Sequence, residues 1–256
     1  MRTRKRNRWA AASVGLTVLL CIPAVFDLTQ SGPAAASVNC SASPGPGVIL
    51  RGCSLKDANL SGVDLANANL LRVDLTNANL SGANLSGAKL ISAILVDADL
   101  SQANLSRARL RRADVAGANL QGADLVRTDF AGADLTDATM TDANAVHANL
   151  KGAQLNGAHL DGVRMVDAFL IAADLAGVSA SNSYFDGANL TSANLSGSDF
   201  TQVSLFEARL AGSNLTATNL TDSILVQANI GGASSTGAIW TGSLCPSGSV
   251  AAPTCS

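Results

Sequence analysis

The residues of this 256-residue chain that could do chemistry are few, and their spacing serves no familiar reaction. The two histidines, His147 and His159, stand twelve positions apart, and neither has a nucleophile or carboxylate beside it beyond those the surrounding pattern supplies everywhere. Aspartates are abundant, and pairs such as Asp114 and Asp134 could hold Ca²⁺ only weakly, so hydration of both is expected instead. Of nine Asn-x-Ser/Thr triplets, all but Asn39-Cys40-Ser41 follow, like Asn59-Leu60-Ser61, from a pattern that sets Asn before Leu and often Ser or Thr after it. They are therefore discounted as glycosylation signals. No enzymatic activity, metal or cofactor is expected. The remaining candidates are cysteines, exposed cations and outward apolar side chains, whose meaning depends on what positions them.

What positions them is a period of five. From Leu50 to Trp240 every fifth residue falls in one phase, and 28 of these 39 positions are Leu. Two places before each stands a small residue, Ala in 26 cases, often with Asn or Asp between, as in Ala58-Asn59-Leu60. On a helix five residues advance the side chain about 140° beyond a full turn, so the leucines form no stripe. On a straight strand consecutive leucines would point to opposite faces. The backbone must bend once per pentad, and Gly62, Gly82, Gly122 and Gly162 stand two places after a Leu, where tight turns require positive φ. One such polygonal coil cannot close its own core or pair its backbone, so coils must stack at about 4.8 Å.

The A(N/D)Lxx units closely resemble those of the pentapeptide-repeat family, from Val48 to about Gly242 and without an insertion. The resemblance implies an all-β fold, a right-handed quadrilateral β-helix with four pentads per coil, Leu and the small residue filling a narrow interior. Thirty-nine units then make about ten coils, a rod of about 45 Å. Steps of twenty also align core irregularities: Ala180 lies in a column between Leu160 and Phe200, and Ala145 shares one with Met165 and Phe185. The larger residues are expected to fill space the alanines leave. The two histidines fall on different sides of the coil.

Residues 1–36 differ from the rest. Arg2, Arg4, Lys5, Arg6 and Arg8 form a basic head, Trp9 to Phe26 are mainly apolar, and Ala34-Ala35-Ala36 offers a cleavage site. This is the layout of a secretory signal peptide, with an uncleaved membrane anchor as the alternative. Residues 37–47 then form a linker or cap, 48–242 the repeat, and 243–256 a C-terminal cap or tail. Cys21 follows Leu20, which is too large for a lipobox. Cys53 and Cys245 would stand about 46 Å apart, and a disulfide needs Cα atoms within about 7 Å. The expected bridges are Cys40 to Cys53 and Cys245 to Cys255, each folding a terminal segment over an open end of the solenoid; four free thiols are the alternative. Some family members instead cover the C-terminal coil by forming a homodimer, and Trp240 suits either role.

Without the head and Asp27, residues 37–256 carry 12 Lys and Arg against 18 Asp and Glu, a net of −6 in place of −2 for the whole chain. Four-sided stacking sorts these charges. Arg72, Lys89, Arg109, Arg111 and Arg112 fall on the side of Leu50 and Leu70, with Arg51 and Lys151, while Arg107, Arg127 and His147 follow the preceding corner. The next side carries Asp57, Asp74, Asp97, Asp114, Asp134, Asp137 and Asp174. The basic strip could engage phosphate, anionic glycan or a membrane surface, or merely be solvated beside its acidic neighbours, as with Arg109 and Asp129. A second candidate surface is an outward apolar column of Val126, Val146, Val166, Phe206 and Val226, interrupted by Asp186 and flanked by Tyr184 and Ile224.

The expected function is that of an exported, non-enzymatic scaffold whose rod surface binds a protein or cell-envelope component. The alternative implied by the resemblance is a DNA mimic that protects DNA gyrase from quinolones. An export signal, a basic strip and the lack of a projecting loop all weigh against it, and nucleic acid is not an expected partner.

Overall fold

The computed structural model describes residues 39–250 and Cys255. The signal-peptide or anchor reading of residues 1–36, and the tail residues 251–254 and 256, lie outside the described residues. Among the described residues no helix is long and apolar enough to cross a membrane.

Each pentad is a short extended step followed by a tight turn. The Leu carbonyl accepts a hydrogen bond from the amide three residues on, as in Cys53 N to Leu50 O (3.2 Å) and Ala78 N to Leu75 O (3.0 Å). The residue two after the Leu has positive φ, 68° at Gly52 and 65° at Gly62. This is the signature of a type II turn, which favours Gly or Asn at that place. The requirement holds whatever residue is present: Asp57, Asn67, Arg72 and His147 take φ values of 55°, 57°, 53° and 58°.

Turned this way, the chain pairs with itself every twenty residues. Parallel bridges join Ile49 to Asn69, Ser54 to Asp74, Asn59 to Asn79 and Asp64 to Asn84, beginning four ladders that define four faces. The first face carries the bridge residues from Ile49 to Asn229, and the fourth continues to Leu244. The pentad Asn69–Val73 shows that every amide is satisfied. Asn69 N donates to Val48 O (2.8 Å), Leu70 N to Lys89 O (2.8 Å), Arg72 N to Ile91 O (3.1 Å) and Val73 N to Leu70 O (3.2 Å). The fifth, Leu71 N, donates to the side-chain Oδ1 of Asn69 (3.4 Å). Here is the reason Asn or Asp so often precedes Leu: its carboxamide or carboxylate accepts the one amide that neither turn nor ladder reaches. The same bond recurs at Ser61 with Asn59 and at Val126 with Asp124.

The interior is closed. The inward leucines from Leu70 to Leu225 and the alanines beside them are buried. Ala180 leaves room that neighbours use: Phe200, in its column, and Phe185, next in its own coil, meet with ring centroids 5.3 Å apart at a tilt of 36°. Most of the Ser and Thr residues at the small position donate to a Leu-position carbonyl of the preceding coil, as in Thr128 to Leu105 O (2.8 Å) and Ser223 to Phe200 O (2.6 Å), while Ser198 donates to Leu195 O of its own coil (2.5 Å). Ser213 Oγ is buried without a partner. Ser213→Ala is therefore expected to stabilise the rod by about 1 kcal/mol, and Ser223→Ala to destabilise it by a similar amount. Chemical denaturation of the two variants checks the opposite signs.

Both ends are crosslinked. Cys40 is bonded to Cys53 (Cα–Cα 5.6 Å) and Cys245 to Cys255 (Cα–Cα 5.2 Å). Cys40 and Ala42 pack against the first coil. At the other end the chain reverses, Val250 pairs antiparallel with Leu244, and Trp240 is buried. The C-terminal covering is one-sided: Ile230, Ala233 and Ala238 stay partly exposed, and Ser235 takes the place of an inward Leu and is exposed.

Candidate interaction surface

Stacking brings the cations anticipated from sequence into one strip. Lys89 and Arg109 are bridge neighbours on the first face. Arg111 and Arg112 occupy the turn after Leu110, and Arg72 takes the equivalent turn position two coils earlier, with Ser92 between. On the corner before the first face, Arg107 and Arg127 occupy consecutive coils, with His147 next; Arg107 N donates to Val126 O (2.9 Å) and Arg127 N to Val146 O (3.0 Å). All seven Arg and Lys side chains are exposed.

Ion pairs neutralise little of this strip. Asp129 is the bridge neighbour of Arg109, yet its Oδ2 lies 3.8 Å from Arg111 Nε, while its Oδ1 accepts from Asn149 Nδ2 (2.8 Å) and Ala131 N (3.2 Å). The other ion pair among the described residues is Lys56–Asp74 (3.3 Å), and His147 Nδ1 lies 3.8 Å from Asp167 Oδ2. Asp167 stands twenty residues beyond His147, a neighbour that only stacking reveals. His159 lies away from both, on the third-face ladder between Thr139 and Ser179.

The acidic side has a local explanation. On the second face, Asp74, Asp114, Asp134 and Asp174 each accept the amide two residues on, at 3.0–3.3 Å. Asp57, Asp97 and Asp137 hold the positive-φ turn position, each at 55°. These carboxylates do what the repeat requires of its polar slots. At Asp74 burial opposes ionisation, but the Thr76 hydroxyl and amide and the Lys56 ammonium outweigh it and hold the carboxyl below its ordinary range. Its contribution to stability is present above the ordinary carboxylate pKa and is lost as pH falls through the lowered one.

The apolar column also stands in register. Val126, Val146, Val166 and Val226 are half-buried, whereas Tyr184 and Phe206 are 50% and 38% exposed. Tyr184 and Ile224 share the fourth-face ladder, separated by Ser204, whose hydroxyl donates to Asp186. The aromatic part of the column therefore lies in the C-terminal half, and the valines cover the corner beside Arg107 and Arg127.

Eight copies of the family described as pentapeptide repeats match this chain, together spanning residues 53–234. The chain belongs to the pentapeptide-repeat family. Membership implies the right-handed quadrilateral β-helix, and pentapeptide-repeat proteins are in general non-enzymatic scaffolds. Among solved structures the chain is similar to HetL, a pentapeptide-repeat protein involved in heterocyst differentiation regulation in the cyanobacterium Nostoc sp. strain PCC 7120. The two share 34% identity over 80% of this chain and 92% of HetL, with a TM-score of 0.65. QnrB1, a plasmid-mediated fluoroquinolone resistance protein, is 16% identical over 74% of this chain and 86% of its own, with a TM-score of 0.47. A pentapeptide-repeat protein of the Arabidopsis thaliana thylakoid lumen is 31% identical over 40% of this chain and 65% of its own, with a TM-score of 0.26. No curated protein matches the chain.

Two features of this pentapeptide-repeat surface escaped sequence reasoning. The Asn and Asp slot was visible as a preference without its cause, the amide it satisfies. Arg72, Arg107, Arg112 and Arg127 were read as cations only, yet each sits at positive φ, from 53° to 59°. Their place two residues after a Leu, the Gly slot, was the available signal.

Proposed function

We propose that this pentapeptide-repeat protein is an exported, non-enzymatic scaffold, a rod of about ten coils that binds a protein or cell-envelope component through its outward side chains. The observation that carries the reading is the pair of terminal disulfides, Cys40–Cys53 and Cys245–Cys255. Such bonds persist in oxidising compartments and are rare in the cytosol, and the basic and apolar N-terminal segment agrees with that destination. The filled interior supports the rest: side chains of the repeat are either packed inside or displayed in columns, so recognition falls to the columns.

Cell fractionation with mass spectrometry of the unreduced protein tests the proposal. The expected result is protein outside the cytosol with both disulfides formed, recovered with a partner on pull-down from the envelope fraction. A cytosolic product with free thiols that inhibits DNA gyrase would overturn it in favour of a DNA mimic.

A further inference from the structure

The strip of cations fills slots that serve the backbone less well with Lys or Arg than with Asn, Asp or Gly, as other residues do elsewhere on the rod. Lys89 and Arg109 stand in the slot before Leu, where an Asn or Asp oxygen accepts the amide two places on. Lysine and arginine have no acceptor to offer. Arg72, Arg107, Arg112 and Arg127 stand in the positive-φ slot, which Gly suits best but which Ser92, Gln102, Ala172 and Glu207 also occupy. Stacking then sets like charges side by side, Lys89 against Arg109 and Arg107 against Arg127, which is unfavourable between paired strands. The aspartates before Leu on the second face serve the backbone by accepting an amide, a role Lys89 and Arg109 cannot take.

Exposed like charges stacked one coil apart, with a single acid among them, point to a ligand of opposite charge that relieves the repulsion. From this placement, and resting on the scaffold reading above, we propose that the first face and its preceding corner, between Arg72 and Arg127, bind a linear anionic polysaccharide, carrying carboxylate or phosphate along its length. Lys89 and Arg109, like Arg107 and Arg127, stand one coil or about 4.8 Å apart along the axis, a spacing that suits regularly placed charges on a linear chain. Arginine predominates, and its planar fork engages carboxylate and phosphate in a bidentate manner. The only acid on this stretch of the strip, Asp129, is already engaged by Arg111 and Asn149. No aromatic side chain is exposed between Arg72 and Arg127, so the strip offers no stacking platform for bases. None offers a wedge into a bilayer either.

The test is binding of the full-length protein to fluorescently labelled polygalacturonate and to polyphosphate, by anisotropy at about 50 and 200 mM salt, with neutral dextran as control. The expected result is salt-sensitive binding to polygalacturonate and none to dextran, whereas binding to polyphosphate alone would overturn the polysaccharide as ligand. A triple variant, Arg107→Gly, Arg112→Gly and Arg127→Gly, should bind at least tenfold more weakly while melting at the same or a higher temperature, because Gly suits the turn. Arg164→Ser with Arg209→Ser, beyond the strip toward the C-terminus, should bind as the parent does. Equal binding by parent and triple variant would overturn the proposal, as would binding to neither polymer. Capture by anionic phospholipid vesicles or duplex DNA in preference to both polymers would overturn it in favour of those ligands. A protein that is exported yet binds no polyanion leaves the scaffold reading standing, whereas cytosolic localisation removes the reading beneath it.

Discussion

Leu120→Asp is expected to lower the melting temperature by about 10–20 °C, while Ser101→Asp shifts it by no more than about 2 °C. Leu120 lies on the third face with 0% exposure, in a column between Leu100 and Met140, which are equally buried. Substitution forfeits about 1.5–3 kcal/mol of apolar burial, and an unpaired carboxylate in that interior costs several kcal/mol more. Because each coil is supported only by its neighbours, the damage spreads along the axis in both directions. Ser101 stands one residue after Leu100, and its amide is already held by Asp99 Oδ1 (3.0 Å), so a new carboxylate there points to water and leaves ladder and core intact. Circular dichroism melting of the two variants checks the contrast. Similar melting would mean that inward and outward positions have been exchanged.

Loss of an end disulfide is expected to act locally. Cys40→Ala releases a crosslink between residues 13 positions apart, a loop closure worth about 3 kcal/mol on the chain-entropy argument. The freed segment would uncover the first coil, which Cys40 and Ala42 now help to pack. Hydrogen exchange should therefore quicken around Leu50–Leu65 and remain slow between about Leu100 and Leu195. Cys245→Ala should do the same around Trp240, where the antiparallel pairing of Leu244 with Val250 depends on the tail staying in place. Exchange that rises uniformly along the rod would show that the crosslinks hold the whole solenoid and are not caps.

Much of this architecture was legible because the repeat is both short and regular. A phase of five is incompatible with helix and with flat strand, so a bend in each pentad followed from elementary geometry. Family resemblance supplied the four sides and the hand. The strip and the apolar column were also legible, since residues twenty apart had to align once four pentads made a coil. Hydrogen bonds and pair contacts were less so. Sequence reasoning set Asp129 against Arg109, but the carboxylate reaches past its bridge neighbour to Arg111, which depends on side-chain direction and not on register. Compensation for Ala180 was anticipated from Phe200 in its own column; the structure adds Phe185, from the adjacent column, whose ring meets that of Phe200.

The amino-acid order alone determined the period, and with it which side chains face inward, because a buried Leu cannot be moved by one residue without turning its whole pentad inside out. Only the stacked structure decided what those positions demand. Whether an amide finds its acceptor in the next coil, and which side chains lie beside one another on the surface, are questions about pairs of residues about twenty apart. Such pairs meet only after the chain has wound once around, so the stacking of cation upon cation belongs to the tertiary structure.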